Sequence, residues 1–402
     1  MTASAIALLS RQSRAPVAAR MMLALLERIK VGTVVLTTPD GETCRFAATP
    51  EPYVELHIHD WSACRQIMQS GDIGFAEAYR DGKYSCNDIV AALSVAVINQ
   101  DIMEQTIHGT FWGTVLYRLR HVLNRNTRTG SQKNIHLHYD IGNSFYRLWL
   151  DDSMTYSSAL FQEAGVTLEQ AQYAKYERLL NLIDVKAGDH ILEIGCGWGA
   201  LAEYAARTRG CRVTGISLSR EQLVYARARV QGTPQAEMTE FKYLDYRDLK
   251  GEYDAVVSVE MFEAVGETYW PSFFRKLRQV VKPGGKIALQ SITMGNEYFE
   301  AYRTQTDFIQ QYIFPGGMLP SPARLQQEVS KAGLSLHDIC DFGQDYAETL
   351  HQWRKRFEHS LDRIRAMGFD EAFIKLWRFY LCYCEAGFVN KRTSVCQVLL
   401  QA

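Results

Sequence analysis

The second half of the sequence alternates short apolar segments with helical ones, and this alternation restricts the fold more than any other feature of the chain. Segments typical of buried strands are His190–Ile194, Arg212–Ser217, Phe241–Leu244, Ala255–Glu260 and Lys286–Thr293. Segments with helical periodicity lie between or before them, at Leu168–Ile183, Ala200–Arg207 and Arg220–Arg229. Strands that alternate with helices form a mostly parallel sheet covered on both faces. The predicted fold class is therefore α/β.

The segments before and after this region have other patterns. Near the start, a helix at Met21–Ile29 precedes two strands, Thr33–Thr37 and Thr43–Phe46, joined as a hairpin through Pro39-Asp40-Gly41. These elements predict a small α+β domain at residues 1–117. From about residue 323 the chain is helical and aromatic, and it finishes with a strand near Val395–Leu400 that we expect to complete the edge of the sheet.

Residues 118–134 separate the two halves. This segment carries several Arg and Lys residues and no Asp or Glu, amid Asn, Thr, Gly and Ser. That composition is typical of a linker. The predicted organisation is a small domain at 1–117, a basic linker at 118–134 and a larger domain at 135–402.

Composition excludes several classes of protein. With 44 Lys and Arg against 45 Asp and Glu, the net charge is −1, so the chain as a whole does not attract nucleic acid. The longest apolar run, Ile89–Ile98, is about half of what a membrane-spanning helix needs and predicts a buried helix. Ala5–Ser10 lacks the basic region that precedes a secretory signal, so we expect a cytoplasmic protein.

Metal and disulfide sites are not expected. The nine cysteines are an odd number without framework spacing. The pairs His57/His59 and His136/His138 resemble metal ligands on one strand face, but no further ligands stand at suitable spacing. Cys384 has no identifiable base near it in the sequence, which favours a packing role over a nucleophilic one.

The sharpest local motif is a strand that ends in glycines and continues into a helix, His190-Ile-Leu-Glu-Ile-Gly195-Cys-Gly197-Trp-Gly199. Glycines let a backbone approach a ligand closely at the carboxyl ends of parallel strands. The spacing is G-x-G-x-G rather than the dinucleotide pattern G-x-G-x-x-G, which favours S-adenosylmethionine (SAM) over a redox dinucleotide. A tight turn without a ligand is the alternative.

Six motifs in order resemble those of the cyclopropane fatty acid synthase and mycolic acid cyclopropane synthase family. They are His138-Tyr-Asp-Ile-Gly-Asn143, Thr155-Tyr-Ser-Ser-Ala159, Leu192-Glu-Ile-Gly-Cys-Gly-Trp-Gly199, Gly215-Ile-Ser-Leu-Ser-Arg-Glu-Gln222, Met261-Phe-Glu-Ala-Val-Gly266 and Tyr312-Ile-Phe-Pro-Gly-Gly317. The resemblance covers about residues 135–402. It implies a Rossmann-like class I methyltransferase domain with a mostly parallel sheet.

The resemblance also implies the reaction. In this family SAM donates a methyl group to a cis double bond of an acyl chain, and a base removes a proton from the resulting cation before the ring closes. Members that act on phospholipids carry a small domain before the catalytic one, which favours unsaturated phospholipid acyl chains as the substrate here. The product expected first is a cyclopropane fatty acid.

Positions that match the family's SAM contacts follow from the motifs. Tyr156 and Ser157 match the lid over SAM, and Gly195 and Gly197 approach its methionine part. The turn after the second strand and the adenine side supply the others: Ser217, Leu218, Gln222, Tyr246 and Arg247. Gln222 stands where many SAM enzymes hold the ribose with Asp or Glu.

The family's base is a bound bicarbonate, and the residues that match its contacts depart from the family pattern. Glu263 and Tyr346 match, and Ile292 matches the backbone contributor. Ser158 replaces a Cys, and Gln290 replaces a His. Both replacements can donate hydrogen bonds to an anion, but neither titrates near neutral pH as His does. Ring closure and a methyl- or methylene-branched alkene therefore both stay open, with Glu263 as the nearby carboxylate if bicarbonate is lost.

Other expectations concern partners. The basic linker suits an anionic membrane surface or a solvated connection equally well, so we expect an enzyme at the inner membrane surface whose small domain faces lipid. The resemblance suggests a homodimer. A lipid-binding protein without activity is the alternative from another class.

Overall fold

The structure is a computed structural model that describes residues 15–102 and 141–402, and these residues form two compact units. The first unit contains residues 15–102, Gln305–Tyr312 and Leu361–Arg392. The second contains residues 141–304, Ile313–Ser360 and Thr393–Ala402. The predicted linker at 118–134, the pair His136/His138 and most of the motif at 138–143 lie outside the described residues, so these stay predictions.

The strands and helices are numbered in chain order. The strands are β1 (Thr33–Thr37), β2 (Thr43–Ala47), β3 (Tyr53–Ile58), β4 (Tyr84–Cys86), β5 (His190–Ile194), β6 (Arg212–Ser217), β7 (Thr239–Tyr243), β8 (Tyr253–Val259), β9 (Val281–Met294), β10 (Ser335–Asp341) and β11 (Thr393–Gln401). The α-helices are α1 (Val17–Leu26), α2 (Ser62–Arg80), α3 (Ile89–Ile98), α4 (Asn143–Tyr146), α5 (Leu168–Ile183), α6 (Ala200–Arg209), α7 (Arg220–Val230), α8 (Trp270–Val280), α9 (Asn296–Thr304), α10 (Pro322–Lys331), α11 (Gly343–His359), α12 (Leu361–Ala366) and α13 (Glu371–Val389).

The second unit is built on a sheet whose strand order, within the described residues, is β10-β11-β9-β8-β5-β6-β7. β9, β8, β5, β6 and β7 pair in parallel, whereas β11 is antiparallel to both of its neighbours. Successive side chains of β5 point to opposite faces, and Ile191 and Leu192 are both fully buried, each in a different apolar cluster. Burial on both faces explains why β5 carries apolar residues at consecutive positions. The prediction of a mostly parallel α/β sheet is confirmed.

Local sequence also sets the helix that precedes β5. The Thr167 hydroxyl accepts a hydrogen bond from the Gln170 N–H at 3.2 Å, and the Gln170 side chain accepts from the Thr167 N–H at 2.8 Å. This reciprocal capping box begins α5, and Asp184, with φ of 51°, ends it. The bounds predicted for this helix are confirmed.

The end of the chain differs from the prediction. β11 does not complete the edge of the sheet but lies between β9 and β10. The edge strand is β10, which the sequence analysis placed in a helical region. The physical reason is that β10 alternates exposed and half-buried residues, so it lacks the continuous apolar run of the parallel strands.

The first unit contains a four-stranded sheet of order β2-β1-β3-β4. β1 and β2 form the predicted hairpin, and α3 spans the predicted Ile89–Ile98. The division inferred from the sequence placed Gln305–Tyr312 and Leu361–Arg392 in the larger domain. In the structure both segments belong to the first unit, where α13 packs against α2 and α3. Local sequence patterns do not show that two later segments of a chain pack into an earlier unit.

Two half-buried carboxyl groups interact inside this first unit, those of Asp72 and Asp307. Asp72 accepts hydrogen bonds from the Phe308 N–H at 3.0 Å and the Tyr383 hydroxyl at 2.7 Å. Asp307 accepts from the Gln310 N–H at 2.8 Å. Burial and then the negative charge of Asp72 raise the pKa of Asp307 to about 7, while Arg392 acts in the opposite direction. Between about pH 4 and pH 7, Asp307 therefore keeps a proton in the folded protein that it loses in the unfolded chain.

We expect this proton to make stability depend on pH. Since the pKa of Asp307 is raised from 3.8, the fold loses stability as pH rises between about 4 and 7. Asp307→Asn should remove that loss and gain about 1 kcal/mol or more over the wild type at pH 8. Urea unfolding at pH 5.5 and pH 8 measures the difference. The control is Asp370→Asn, which changes an exposed cap of α13. Equal pH slopes in the wild type and the Asp307 variant would contradict the expectation.

Candidate active site

The glycine turn after β5 leaves backbone open to a ligand. Gly195 and Gly197 have φ of 84° and 50°, values that side chains with a Cβ rarely adopt. A Cβ on Gly195 would lie 2.8 Å from Met261, whereas a Cβ on Gly197 would meet nothing within 4 Å. The turn thus combines a tight contact on one side with open space at the carboxyl end of β5. This fits the close approach of a ligand such as SAM.

The turn after β6 orients Gln222. Its side-chain carbonyl oxygen accepts a hydrogen bond from the Ser217 hydroxyl at 3.0 Å, and its backbone N–H donates to the Ser219 hydroxyl at 3.2 Å. Ser217 and Gln222 are buried, and Leu218 between them is half-buried. These hydrogen bonds hold an amide at the position where the sequence analysis expects the ribose of SAM.

The segment after β7 holds a tight ion pair. Asp245 accepts from both the Arg247 Nε at 2.8 Å and the Arg247 guanidinium NH₂ at 2.6 Å. The guanidinium carbon lies 5.6 Å from the ring centroids of Tyr246 and Tyr269. Tyr246 and Arg247 are therefore placed at the end of the next parallel strand, as expected. Asp245, which fixes Arg247, was not among the predicted residues.

The segment expected to cover SAM is anchored in an aromatic cluster. The ring of Tyr156 lies 5.4 to 5.5 Å from the rings of Tyr146, Trp149 and Trp353. Ser157 accepts a hydrogen bond from the Lys175 ammonium at 2.6 Å. Both residues of the predicted lid are thus held by side chains of the same unit.

Lys175 is fully buried, which is rare for lysine. Its ammonium also donates to the Gln172 carbonyl oxygen at 2.6 Å. Burial lowers the pKa of Lys175 to about 7, although the negative charge of Glu260 acts in the opposite direction. Lys175 is not among the residues predicted from the sequence, because a lysine in a helix usually faces solvent. The available signal was that Leu168, Gln172, Lys175 and Leu179 share one face of α5.

Three of the residues predicted to hold an anion contact one carboxylate, that of Glu260. Its Oε1 accepts from the Ser158 N–H at 2.9 Å and from the Gln290 NH₂ at 2.8 Å. Its Oε2 accepts from the Tyr346 hydroxyl at 2.8 Å. The Ser158 hydroxyl instead donates to the Ala159 carbonyl. We call Ser158, Gln290 and Tyr346 the anion cradle.

Glu260 follows the last residue of β8 and is half-buried. Desolvation raises the pKa of its carboxyl, while Lys175 and the three hydrogen bonds act against that rise. The sequence analysis included Glu260 in a predicted strand but gave it no role. The available signal was a charged residue at the carboxyl end of a buried parallel strand, where ligands bind in such sheets.

The side chain of Glu263, the carboxylate predicted to be catalytic, has other hydrogen-bond partners. Its Oε1 accepts from the Ser291 hydroxyl at 3.0 Å and the Ile292 N–H at 2.5 Å. Its Oε2 is buried and has no hydrogen-bond partner among the residues that the structure describes. Burial, and then the charge of Glu260, raise the pKa of Glu263 to about 8. The structure thus places Ile292 at Glu263 and the anion cradle at Glu260.

The two carboxyl groups have different environments. Glu260 has three donors and a buried ammonium near it, whereas Glu263 has two donors and a negative neighbour. Neighbouring acids with different environments take separate protonation states. The three donors and the ammonium stabilise a negative charge at Glu260, whereas burial and the charge of Glu260 favour the neutral form of Glu263. Among the described residues no group of His, Cys, Asp and Glu is placed to hold a metal ion.

Comparisons with known proteins identify the family of the chain. The profile of the family described as mycolic acid cyclopropane synthetase matches residues 126–398. The chain is 38% identical over 371 residues to the tuberculostearic acid methyltransferase UfaA1 of Mycobacterium tuberculosis, covering 90% of this chain and 86% of the relative. It is 32% identical over 345 residues to the cyclopropane-fatty-acyl-phospholipid synthase of Escherichia coli K12, covering 86% and 87%.

A solved structure resembles the chain as well. This is the mycolic acid cyclopropane synthase CmaA1 complexed with SAH and CTAB, with a TM-score of 0.64 and 26% identity. It covers 67% of this chain and 98% of that one. The likeness confirms the predicted Rossmann-like class I fold.

Proposed function

We propose a reaction for the chain from one premise: the chain belongs to the mycolic acid cyclopropane synthetase family. It is a SAM-dependent methyltransferase. When bound, SAM supplies an electrophilic methyl group. The glycine turn, the Gln222 amide and the Asp245–Arg247 pair lie at the ends of β5, β6 and β7, where the residues present fit that ligand.

The proposed reaction is methyl transfer to the cis double bond of an unsaturated acyl chain in membrane phospholipids. The observation that carries it is the pair of carboxyl groups, Glu260 and Glu263, beside the aromatic segment of Tyr156. Methylation of an alkene leaves a cation, which needs a base to remove a proton. The face of an aromatic ring stabilises a nearby cation by about 0.5 to 2 kcal/mol. The names of the relatives support fatty acyl and phospholipid substrates.

We propose that the product is a methylene-branched chain or a methyl-branched alkene rather than a ring. Ser158 and Gln290 depart from the ring-forming pattern that the resemblance implies. The relative that matches 90% of the chain is named for tuberculostearic acid, and it shares more identity than the relative named as a cyclopropane synthase. A methylene branch needs a hydride shift from the methylated carbon to the neighbouring cationic carbon and then the loss of one proton from the added methyl group. No reductant enters these steps.

Cyclopropane formation is the second candidate. The matches at Glu263, Tyr346 and Ile292, and the name of the Escherichia coli relative, favour it. Both products follow from one cation and differ in which bond the released electron pair makes.

The test is incubation with SAM and vesicles of cis-monounsaturated phospholipid, followed by mass spectrometry and proton NMR of the released acyl chains. Isomeric ring and methylene products have the same mass, so the NMR spectrum decides. Terminal methylene signals support the branched product. Upfield signals of ring protons would contradict it and show that the product is a cyclopropane. Absence of any product would favour a lipid-binding protein without activity.

The place of the reaction also stays a proposal. We propose an enzyme that is cytoplasmic and peripheral at the inner membrane surface, with residues 1–117 facing lipid and 118–134 as a basic connection, and a homodimer as its assembly. In the described part of the chain, no helix has both the length and the apolarity to span a bilayer. Flotation with neutral and anionic vesicles tests the surface. Equal binding to both would contradict an electrostatic role for the basic segment.

A further inference from the structure

We propose that the carboxylate of Glu260 occupies the anion cradle in place of bicarbonate and itself accepts the proton lost from the methylated acyl chain. This inference rests on the proposed function, because it concerns the base of that reaction. With Glu260 as the base, the enzyme does not need bicarbonate. The resemblance to the family had implied a bound bicarbonate in this role.

The cradle donors are already in use. Oε1 of Glu260 takes the Ser158 N–H and the Gln290 NH₂, and Oε2 takes the Tyr346 hydroxyl. A planar bicarbonate would need these same donors. The residue that was expected to complete its binding, Ile292, donates to Glu263 instead. The residues present therefore fit a side-chain carboxylate and do not fit an additional anion.

The orientation of Gln290 is fixed toward Glu260 by a second amide. Gln397 on β11 lies directly opposite Gln290 on β9 and donates its NH₂ to the Gln290 carbonyl oxygen at 2.9 Å. The Gln397 carbonyl oxygen in turn accepts from the Arg178 guanidinium at 3.0 Å. Since Arg can only donate, this chain of bonds assigns the amide directions without ambiguity. The NH₂ of Gln290 must then face the Glu260 carboxylate.

The backbone at Glu260 adopts a conformation that is strained for a residue with a Cβ. Its φ is 49°, in the left-handed region that costs a residue with a Cβ about 1 to 2 kcal/mol. Such strain is found where a side chain must be aimed at a functional site. The conformation brings the carboxylate from the end of β8 into the cradle. A glycine would adopt the same φ without strain.

The partners of Glu260 stabilise a negative charge on its carboxylate. Burial raises the pKa of this carboxyl, whereas Lys175 on α5, the Gln290 amide, the Ser158 N–H and the Tyr346 hydroxyl on α11 act against that rise. Because burial and the charge of Glu260 raise the pKa of Glu263 to about 8, Glu263 adds little opposing charge at neutral pH. Half-burial leaves the Glu260 residue within reach of a ligand.

The step balances with these groups alone. A hydride first moves from the methylated carbon to the neighbouring cationic carbon. A C–H bond of the added methyl group then breaks, its proton moves to a Glu260 oxygen, and its electron pair forms the double bond of the methylene branch. Without the hydride shift, the electron pair of the same C–H bond forms the third bond of a ring, and loss of a proton from a chain carbon next to the cationic carbon gives a methyl-branched alkene. The protonated carboxyl then returns its proton to water when the product leaves.

The experiment compares the wild type with Glu260→Gly, in buffer freed of carbon dioxide and then with millimolar bicarbonate or formate added. The wild type should form product at the same rate with and without bicarbonate. Glu260→Gly frees the cradle donors without backbone strain, so we expect its turnover to fall about 10²-fold or more. Added bicarbonate or formate should restore at least part of that loss. Calorimetry with SAM confirms that the variant is folded.

A second readout does not depend on turnover. The ¹³C line of labelled bicarbonate should show saturable broadening with Glu260→Gly and none with the wild type. Tyr346→Phe in the Glu260→Gly background should weaken that binding, because one cradle donor is gone. If Glu260→Gly does not fold, bicarbonate dependence and broadening of the wild type alone still decide.

The outcomes separate the two proposals. A wild type that needs bicarbonate for turnover, or that binds it saturably, overturns the role of Glu260. A wild type that forms no product in any buffer overturns the proposed function. In that case bicarbonate binding by Glu260→Gly, but not by the wild type, would still show that the side chain occupies the cradle.

Discussion

Replacing Glu260 by Gln is expected to lower kcat about 10³-fold while the affinity for SAM changes little. A positioned general base contributes about 10² to 10⁴ in rate, and glutamine keeps the shape of the side chain but cannot take a proton. The Ser158 N–H can still donate to the glutamine carbonyl, and the Tyr346 hydroxyl can rotate to accept from its NH₂. Single-turnover rates with vesicles, together with calorimetry for SAM, measure the two effects.

The matched control is Glu263→Gln. Because the pKa of Glu263 is raised to about 8, the residue is mainly a neutral carboxyl at pH 7, and an amide of the same shape replaces it at low cost. We expect this variant to keep turnover within about tenfold of the wild type. The reverse pattern, with Glu263→Gln inactive and Glu260→Gln active, would assign the base to Glu263, as the sequence motif alone favours.

The second large effect is expected for Gly195→Ala, which should weaken SAM binding about 10²-fold. The added Cβ would lie 2.8 Å from Met261, the residue next to Glu260, and the φ of 84° strains any residue with a Cβ. Two tenfold losses of affinity correspond to about 2.7 kcal/mol, which strain and displacement of the Met261 segment together can supply. Calorimetric titration with SAM measures the affinity.

Gly165→Ala provides the control for backbone strain. Gly165 also has φ of 84°, but it is exposed and a Cβ there meets nothing within 4 Å. Both variants should lose stability by about 1 to 2 kcal/mol, and only Gly195→Ala should lose SAM. Similar SAM affinities in the two variants would mean that the glycine turn does not contact the ligand.

The sheet could be predicted from the sequence where burial is complete. β5 and β6 have the predicted bounds, because a central strand covered on both faces is mostly buried and carries apolar residues on both of its faces. β10 and the position of β11 could not be predicted, because an alternating edge strand and an inserted antiparallel strand depend on pairing between distant segments. The same applies to α13, whose local pattern is helical in either unit.

The candidate site could be predicted only in part, for a different reason. The motifs supplied the cradle residues Ser158, Gln290 and Tyr346, and the structure brings all three together. The motifs also predicted Glu263 as the carboxylate that takes part in the reaction. Which carboxylate meets the donors depends on the left-handed backbone at Glu260, and no periodicity or composition reveals the φ of a single residue.

The insertion of β11 between β9 and β10 has a consequence for biosynthesis. A ribosome releases the chain from its amino end, so β9 and β10 emerge while the slot between them is still empty. Gln290 cannot receive its hydrogen bond from Gln397 until β11 has emerged and paired. Docking of this strand should therefore follow the emergence of both β9 and β10. A nascent chain halted before residue 393 would contain the glycine turn but would lack the hydrogen bond that orients Gln290. We expect a protease to cleave such stalled chains near β9, because this strand then lacks its partner β11.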